Sequence, residues 1–158
     1  MRLKTIPLYA VLAFAACTST NQSSNMTEDY TQYVNPFIGT DFTGNTYPGA
    51  QVPFGMVQLS PDNGLPGWDR ISGYFYPDSA IAGFSHTHLS GTGAGDLYDV
   101  SFMPVTLPYK EAEAPLGIHS KFSHANESAY AGYYQVKLDD YNINVELTAT
   151  ERCGIQRY

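Results

Sequence analysis

The chain has 158 residues, with 8 Lys or Arg against 15 Asp or Glu, so its formal net charge at pH 7 is −7. Nucleic acids and anionic lipid surfaces are bound through basic patches, and this acidic, tyrosine-rich and lysine-poor chain argues against both as partners. With only two cysteines it has no internal disulfide framework and no cysteine-based metal site, and its length suffices for one compact domain.

Residues 1–16 have the pattern of an export signal. Arg2 and Lys4 precede an apolar segment, residues 6–16, that is too short to span a bilayer. Small residues come directly before Cys17, as in bacterial lipoprotein signals, in which this cysteine carries the lipid. We predict a lipoprotein signal peptide over 1–16, a lipid on Cys17 as the only membrane attachment, and a place in the bacterial cell envelope, periplasmic or at the surface. The alternative is an ordinary secretory signal with a chance cysteine.

Residues 18–27 are polar and low in complexity. Such a segment cannot bury enough apolar surface to offset the entropy lost on ordering. We therefore predict a flexible tether over 17–29, followed by a single domain over 30–158.

The domain is predicted to be mainly β. Residues 133–138 and 142–150 alternate between apolar and polar, and Asp139-Asp140 separates them, which is typical of an antiparallel hairpin with one buried face. Residues 52–59 and 100–107 are further strand candidates. Many short strands between Gly, Pro, Asn and Asp clusters favour an antiparallel β-sandwich.

Two segments depart from this pattern. Residues 109–114 give a faint helical signal that Pro115 ends. Residues 152–158 begin another strand-like segment that stops in mid-pattern, so we expect the chain to be the front portion of a longer protein.

The stretch from Ser72 to Asp99 combines aromatics, two histidines, glycines and aspartates. Aromatic faces beside histidines, hydroxyls and carboxylates are suited to a ligand rich in hydroxyl groups, such as a sugar. Just before it, Trp68 is suited to stack on a sugar ring, and Asp69 or Arg70 to bind its hydroxyls. A buried tryptophan beside a surface ion pair is the alternative.

A loop before these residues is a second candidate. Gly44 and Asn45 lie between Asp41 and Thr46, in a segment whose glycines and prolines fix an irregular path with backbone amides free to point inward. The alternative is a loop that only closes one end of the sandwich.

His86 and His88 are spaced i, i+2, which on a strand places both rings on one face. A metal needs a third ligand, and Asp96 and Asp99 lie across a flexible glycine turn. We therefore expect one histidine to bind a ligand hydroxyl and the other to orient a loop. The glycines of 91–96 fail the nucleotide-loop spacing, and no nucleophile elbow is present.

The motifs together resemble the N-terminal domain of glycoside hydrolase family 92, the calcium-dependent exo-α-mannosidases. They are NPFIGT at 35–40, GNTYPGAQVPFGMVQLSPD at 44–62, GWD and SGY within 67–74, FSHTHLSGTG at 84–93, and RCGIQRY at 152–158. They cover most of the chain after the tether, and their order and spacing argue against coincidence.

The resemblance implies an N-terminal β-sandwich joined to a large helical (α/α)6 barrel, with the active site at their interface. It implies hydrolysis of terminal α-mannosides of glycans with inversion, and calcium as a cofactor that helps to bind and distort the mannose. The family's acid, base and most calcium ligands belong to the helical domain. No catalytic residue and no metal ligand is therefore assigned here, and the isolated chain is expected to be inactive.

By the same resemblance, this chain supplies one wall of the mannose site, with a mannose-containing glycan and its own C-terminal helical domain as partners. The expected substrate-binding residues are Gly44, Asn45, Trp68, Asp69, Arg70, His86, His88, Ser90 and Gly91. Two other functions remain open: a stand-alone or remnant carbohydrate-binding module without catalysis, and a surface adhesin with no role in sugar binding.

Overall fold

The computed structural model describes residues 28–91, 95, 97–108 and 117–158. These residues form short antiparallel strands, three 3-10 helices and no α-helix, so the predicted mainly β, antiparallel fold class is confirmed. Within the described ranges, no helix is long and apolar enough to cross a membrane. The predicted signal peptide, Cys17 and the faint helical signal at 109–114 lie outside the described residues.

The described part contains eight strands, with long connections between β1 and β2 and between β3 and β4. They are β1 (Ser60–Asp62), β2 (Ala80–Ile81), β3 (Gly83–Ser85), β4 (Ser120–Lys121), β5 (Glu127–Tyr130), β6 (Tyr133–Leu138), β7 (Ile143–Ala149) and β8 (Gly154–Arg157). The 3-10 helices are Tyr30–Tyr33, Trp68–Arg70 and His124–Asn126.

Strands β5 to β8 form a four-stranded antiparallel sheet in chain order. β6 and β7 are the predicted hairpin, with Val136 opposite Val145 and a turn over 139–142. Alternate side chains of both strands are buried, as expected where one face of a sheet covers the core. The strand-like segment predicted at 152–158 is β8.

β1 pairs with β3, and β2 with β4, in two small antiparallel sheets. The strand predicted over 52–59 is wrong, because this segment is irregular and only Leu59 forms an isolated bridge, with Ala50. Pro53 cannot donate a backbone hydrogen bond, and Phe54 has a φ of +59°. The two residues therefore turn the chain instead of extending it.

The strand predicted over 100–107 is also wrong, apart from one bridge between Phe102 and Phe84 of β3. Val100 has a φ of +55°, outside the extended region, so the segment does not start as a strand. Pro104 then cannot donate to a ladder. The apolar residues that favoured a strand here lie instead in irregular backbone beside β3.

One cluster of buried apolar side chains joins the four-stranded sheet to the rest of the fold. It includes Tyr134 and Leu147 from the sheet, and Leu59, Tyr74 and Phe84 from the segments that precede it. Burial of this apolar surface is the main favourable contribution to folding. The irregular first half is therefore held in place by packing against the regular second half.

A buried carboxylate fastens the same two parts together. Glu127 accepts hydrogen bonds from the hydroxyls of Tyr134 at 2.6 Å and Tyr74 at 3.0 Å, and its Oε2 lies 2.6 Å from His124 Nδ1. Burial raises the pKa of both tyrosines well above the usual range, so both hydroxyls remain donors. The other ring nitrogen of His124 lies 2.7 Å from the carbonyl oxygen of Tyr76, and the two rings stack.

We predict that Leu147→Ala lowers the free energy of unfolding by about 2–5 kcal/mol, because it leaves a cavity in the core. Ile155→Ala on the neighbouring strand is the matched control, since Leu147 is 0% exposed and Ile155 is 57% exposed. That control is expected to cost about 0.5 kcal/mol or less. Urea unfolding followed by circular dichroism measures both, and equal losses would contradict the described core.

Candidate functional site

A cavity of about 740 Å³ opens beside the 3-10 helix Trp68–Arg70. Its wall includes Asp62 at the end of β1, Gly73, and Tyr98 from the segment after β3. The indole of Trp68 is 63% exposed, so the predicted aromatic surface is available to a ligand and is not part of the core. The cavity therefore combines an apolar ring with a carboxylate and with the backbone of glycine residues.

Arg70 lines this cavity, and two of its three guanidinium nitrogens donate to Asp78. Nε and Nη2 donate to the two carboxylate oxygens of Asp78 at 2.7 and 2.5 Å, and the group lies over the ring of Phe75. The hydrogen bond to Asp78 raises the pKa of Arg70. The adjacent Asp69 is half-buried. Arg70 therefore mainly connects the 3-10 helix to residues 75–78.

His88 lies behind the cavity and is buried. Its Nδ1 is 2.7 Å from the carbonyl oxygen of Gln58, and its Nε2 is 2.8 Å from Oδ1 of Asp62. Both ring nitrogens face acceptors, so the imidazole makes both bonds when both nitrogens carry protons. The ring packs between Tyr47 and Tyr98, at centroid distances of 5.0 and 5.8 Å.

His86 has a different environment. Its Nδ1 lies 2.8 Å from the carbonyl oxygen of Val100, and its ring packs edge-on against Phe102. The expectation that the i, i+2 spacing puts both histidines on one face of a strand is wrong, because β3 ends at Ser85 and the backbone beyond it is irregular. The two rings therefore serve separate contacts.

Among the described residues, no group of three His, Cys, Asp or Glu side chains could hold a metal ion. Asp96, a candidate third ligand, lies outside the described residues. Asp99 instead pairs with Thr87. Its carboxylate accepts a hydrogen bond from the Thr87 hydroxyl, and its backbone N–H donates to the oxygen of that hydroxyl at 2.9 Å.

The loop at 44–47 packs against the segment that contains His88. The carbonyl of Asn45 accepts a hydrogen bond from the N–H of Gly91, the residue after Ser90, at 2.8 Å, and the hydroxyl of Tyr47 donates to Oε1 of Gln51 at 2.6 Å. Burial raises the pKa of Tyr47 to about 12. Gly44 is required by close packing, since a Cβ there would lie 2.3 Å from the carbonyl oxygen of Gly39. The predicted residues Gly44, Asn45, Ser90 and Gly91 thus form one junction.

The sequence-predicted residues fall into four places, one of which is the junction described above, and Asp69 does not line the cavity. Trp68 and Arg70 line the cavity, His88 supports its wall, and His86 lies apart beside Phe102. The sequence analysis missed Asp62 as part of the cavity. No local pattern marks it, because its partner His88 is 26 residues further along the chain.

Comparison with known proteins places the chain in a family. The model of the glycosyl hydrolase family 92 N-terminal domain matches residues 33–158. The chain belongs to glycoside hydrolase family 92, and its described residues form that family's N-terminal domain.

Solved structures agree with this assignment. A family GH92 α-mannosidase from Bacteroides thetaiotaomicron, in complex with mannoimidazole, shares 46% identity with a TM-score of 0.76, over 82% of this chain and 18% of that chain. A family GH92 inverting mannosidase from the same organism shares 30% identity with a TM-score of 0.61, over 84% of this chain and 18% of that chain.

A curated relative, an uncharacterized secreted glycosidase from Arthroderma benhamiae, is 30% identical over 136 residues, which is 82% of this chain and 17% of that protein. The chain thus spans less than a fifth of the length of each of these three relatives.

We predict that His88→Gln lowers the free energy of unfolding by about 2–3 kcal/mol, because it removes the hydrogen bonds of a buried ring to the Gln58 carbonyl and the Asp62 carboxylate. His86→Gln is the matched control, since it removes one hydrogen bond at a partly exposed ring and should cost about 1 kcal/mol. Thermal unfolding compares the two variants. A larger loss for the His86 variant would contradict this difference in roles.

Proposed function

We propose that the chain is the N-terminal, substrate-pocket-contributing domain of an exported α-mannosidase that hydrolyses terminal α-mannosides of glycans with inversion. The observation that carries the proposal is the Trp68 cavity, which lies in a domain of family 92. An exposed indole beside a carboxylate is suited to a sugar, whose ring has an apolar face and a rim of hydroxyl groups.

In this proposal the residues in and around the cavity wall have different roles. Trp68 stacks on the sugar, and Asp69 beside it accepts hydroxyl groups. Arg70, held by Asp78, keeps the 3-10 helix in position under the indole. Gly91 has a φ of +108° and open space around it, so its backbone can approach a ligand closely. His88 fixes the wall through Asp62.

The proposed reaction needs two further carboxyl groups. In an inverting glycosidase, a carboxylic acid protonates the leaving oxygen while a carboxylate activates a water on the opposite face of the sugar. We assign neither role to a residue of this chain. In this proposal, both carboxyl groups belong to the part of the family 92 proteins that this chain does not cover. The 158 residues then supply binding and orientation only.

Calcium belongs to the proposal as a cofactor of the whole protein, where it would help to bind and distort the mannose. The described residues supply no carboxylate-based calcium site by themselves, since they contain no group of three His, Cys, Asp or Glu side chains that could hold a metal ion. No step of the reaction is therefore assigned to calcium through this chain.

We also propose that the protein is exported and anchored by a lipid on Cys17. The support is the sequence pattern before Cys17 and the similarity to a glycosidase described as secreted. This anchor requires that the protein incorporates labelled fatty acid and that the Cys17→Ser variant does not.

We predict that the protein encoded by the complete reading frame hydrolyses an aryl α-mannoside and releases β-mannose first, as nuclear magnetic resonance of the fresh product would detect. Trp68→Ala should lower kcat/KM about 10-fold to 100-fold, because stacking on the sugar is lost. Tyr130→Ala is the control, since this exposed ring lies at the end of β5 and outside the cavity wall.

Binding of mannosides without any hydrolysis would favour the carbohydrate-binding module instead. The same assay tests calcium. A chelator should abolish hydrolysis by the whole protein, and it should leave the thermal unfolding of the 158-residue chain unchanged. A shift in that unfolding temperature would contradict the assignment of calcium to residues outside this chain.

A further inference from the structure

The carboxylate of Asp62 is only half satisfied. Its Oδ1 is 2.8 Å from Nε2 of His88, whereas its Oδ2 is buried and has no hydrogen-bond partner in the described part of the chain. A carboxylate can accept about four hydrogen bonds. An oxygen that is removed from water and left unbonded lowers stability, so its presence calls for a specific reason.

No cationic side chain of the described cavity wall bonds this oxygen. Nδ1 of His88 lies on the carbonyl oxygen of Gln58, and its Nε2 already faces Oδ1. Arg70, which shares the cavity wall, directs Nε and Nη2 to Asp78. The described cavity wall contains no other Lys, Arg or His side chain.

The position of Asp62 points to the cavity. Asp62 lies in the same wall as Trp68 and Gly73, and its side chain is 14% exposed. A Cβ at position 73 would lie 2.5 Å from Oδ1 of Asp62, and Gly73 has a φ of +88°. Glycine at 73 therefore leaves the space that this carboxylate occupies. His88 then holds it from behind, as a ligand acceptor must be held.

We infer that Asp62 binds the ligand of the Trp68 cavity by accepting a hydrogen bond from one of its hydroxyl groups. This inference rests on the proposed function, and it adds Asp62 to the residues that touch the sugar. Trp68 supplies stacking and tolerates many sugars, whereas a fixed carboxylate requires a hydroxyl at one position of the ring. The carboxylate is mostly shielded from bulk water, with 14% of the side chain exposed, and this low exposure strengthens a hydrogen bond made there.

Ser60 provides a matched control. It lies two residues before Asp62 on the same face of β1, and its hydroxyl is also buried without a partner. It is 0% exposed and does not line the cavity. Removal of this oxygen should therefore leave ligand binding unchanged.

The test uses the protein encoded by the complete reading frame, and calorimetry with methyl 1-thio-α-mannoside and its 2-, 3-, 4- and 6-deoxy analogues. In the unsubstituted protein, one deoxy analogue should bind about 10-fold or more weakly, because a hydrogen bond to a charged acceptor is lost. In Asp62→Ala that penalty should fall below about threefold, and in Ser60→Ala it should be unchanged. The penalty is a ratio of two Kd values within one variant, so a change in the amount of folded protein cancels.

Asp62→Asn is a second variant in case Asp62→Ala does not fold, since an amide can still bond His88. Hydrogen bonds to a neutral group are about half as strong as those to a charged one, so the penalty should fall to about a third of its original value or less. Full deoxy penalties in the Asp62 variants, or no penalty in the unsubstituted protein, would overturn the inference and leave the proposed function standing. If the protein neither binds nor hydrolyses any mannoside, both are overturned.

Discussion

The buried imidazole of His88 holds the candidate site together. Its two nitrogens bind the carbonyl of Gln58 and the carboxylate of Asp62, and its ring packs between Tyr47 and Tyr98. These contacts bring segments from distant parts of the chain to one point, in a region where strands are only two or three residues long. With so few ladder hydrogen bonds available, side-chain contacts of this kind must define the backbone path.

A second hydrogen-bonded cluster, around the buried carboxylate of Glu127, does the same on the other side of the core. Glu127 binds His124 and the hydroxyls of Tyr74 and Tyr134, and so fastens the regular sheet to the segment that leads into the cavity wall. From that segment Asp78 holds Arg70, and Arg70 ends the 3-10 helix that begins with Trp68. A continuous series of contacts thus connects the helix that carries the exposed indole to the four-stranded sheet.

The proposed function gives this arrangement the role of one wall of a larger site. The chain covers about 18% of the solved family 92 mannosidases that it matches, and its described cavity wall offers an aromatic ring, the carboxylate of Asp62 and the close-packed Gly73. The polar groups are mostly committed to one another, which makes the wall rigid. Rigid walls position a substrate for chemistry that other residues carry out.

The sequence by itself determined the regular half of the fold and the identity of the family. The hairpin of β6 and β7 was predictable because alternation is a local property, and the family because its motifs are contiguous. The strands predicted over 52–59 and 100–107 failed because positive φ values and prolines turn those apolar runs. Only the tertiary structure separated His86 from His88 and placed Asp62 in the cavity wall, since both results depend on contacts between residues far apart in the chain.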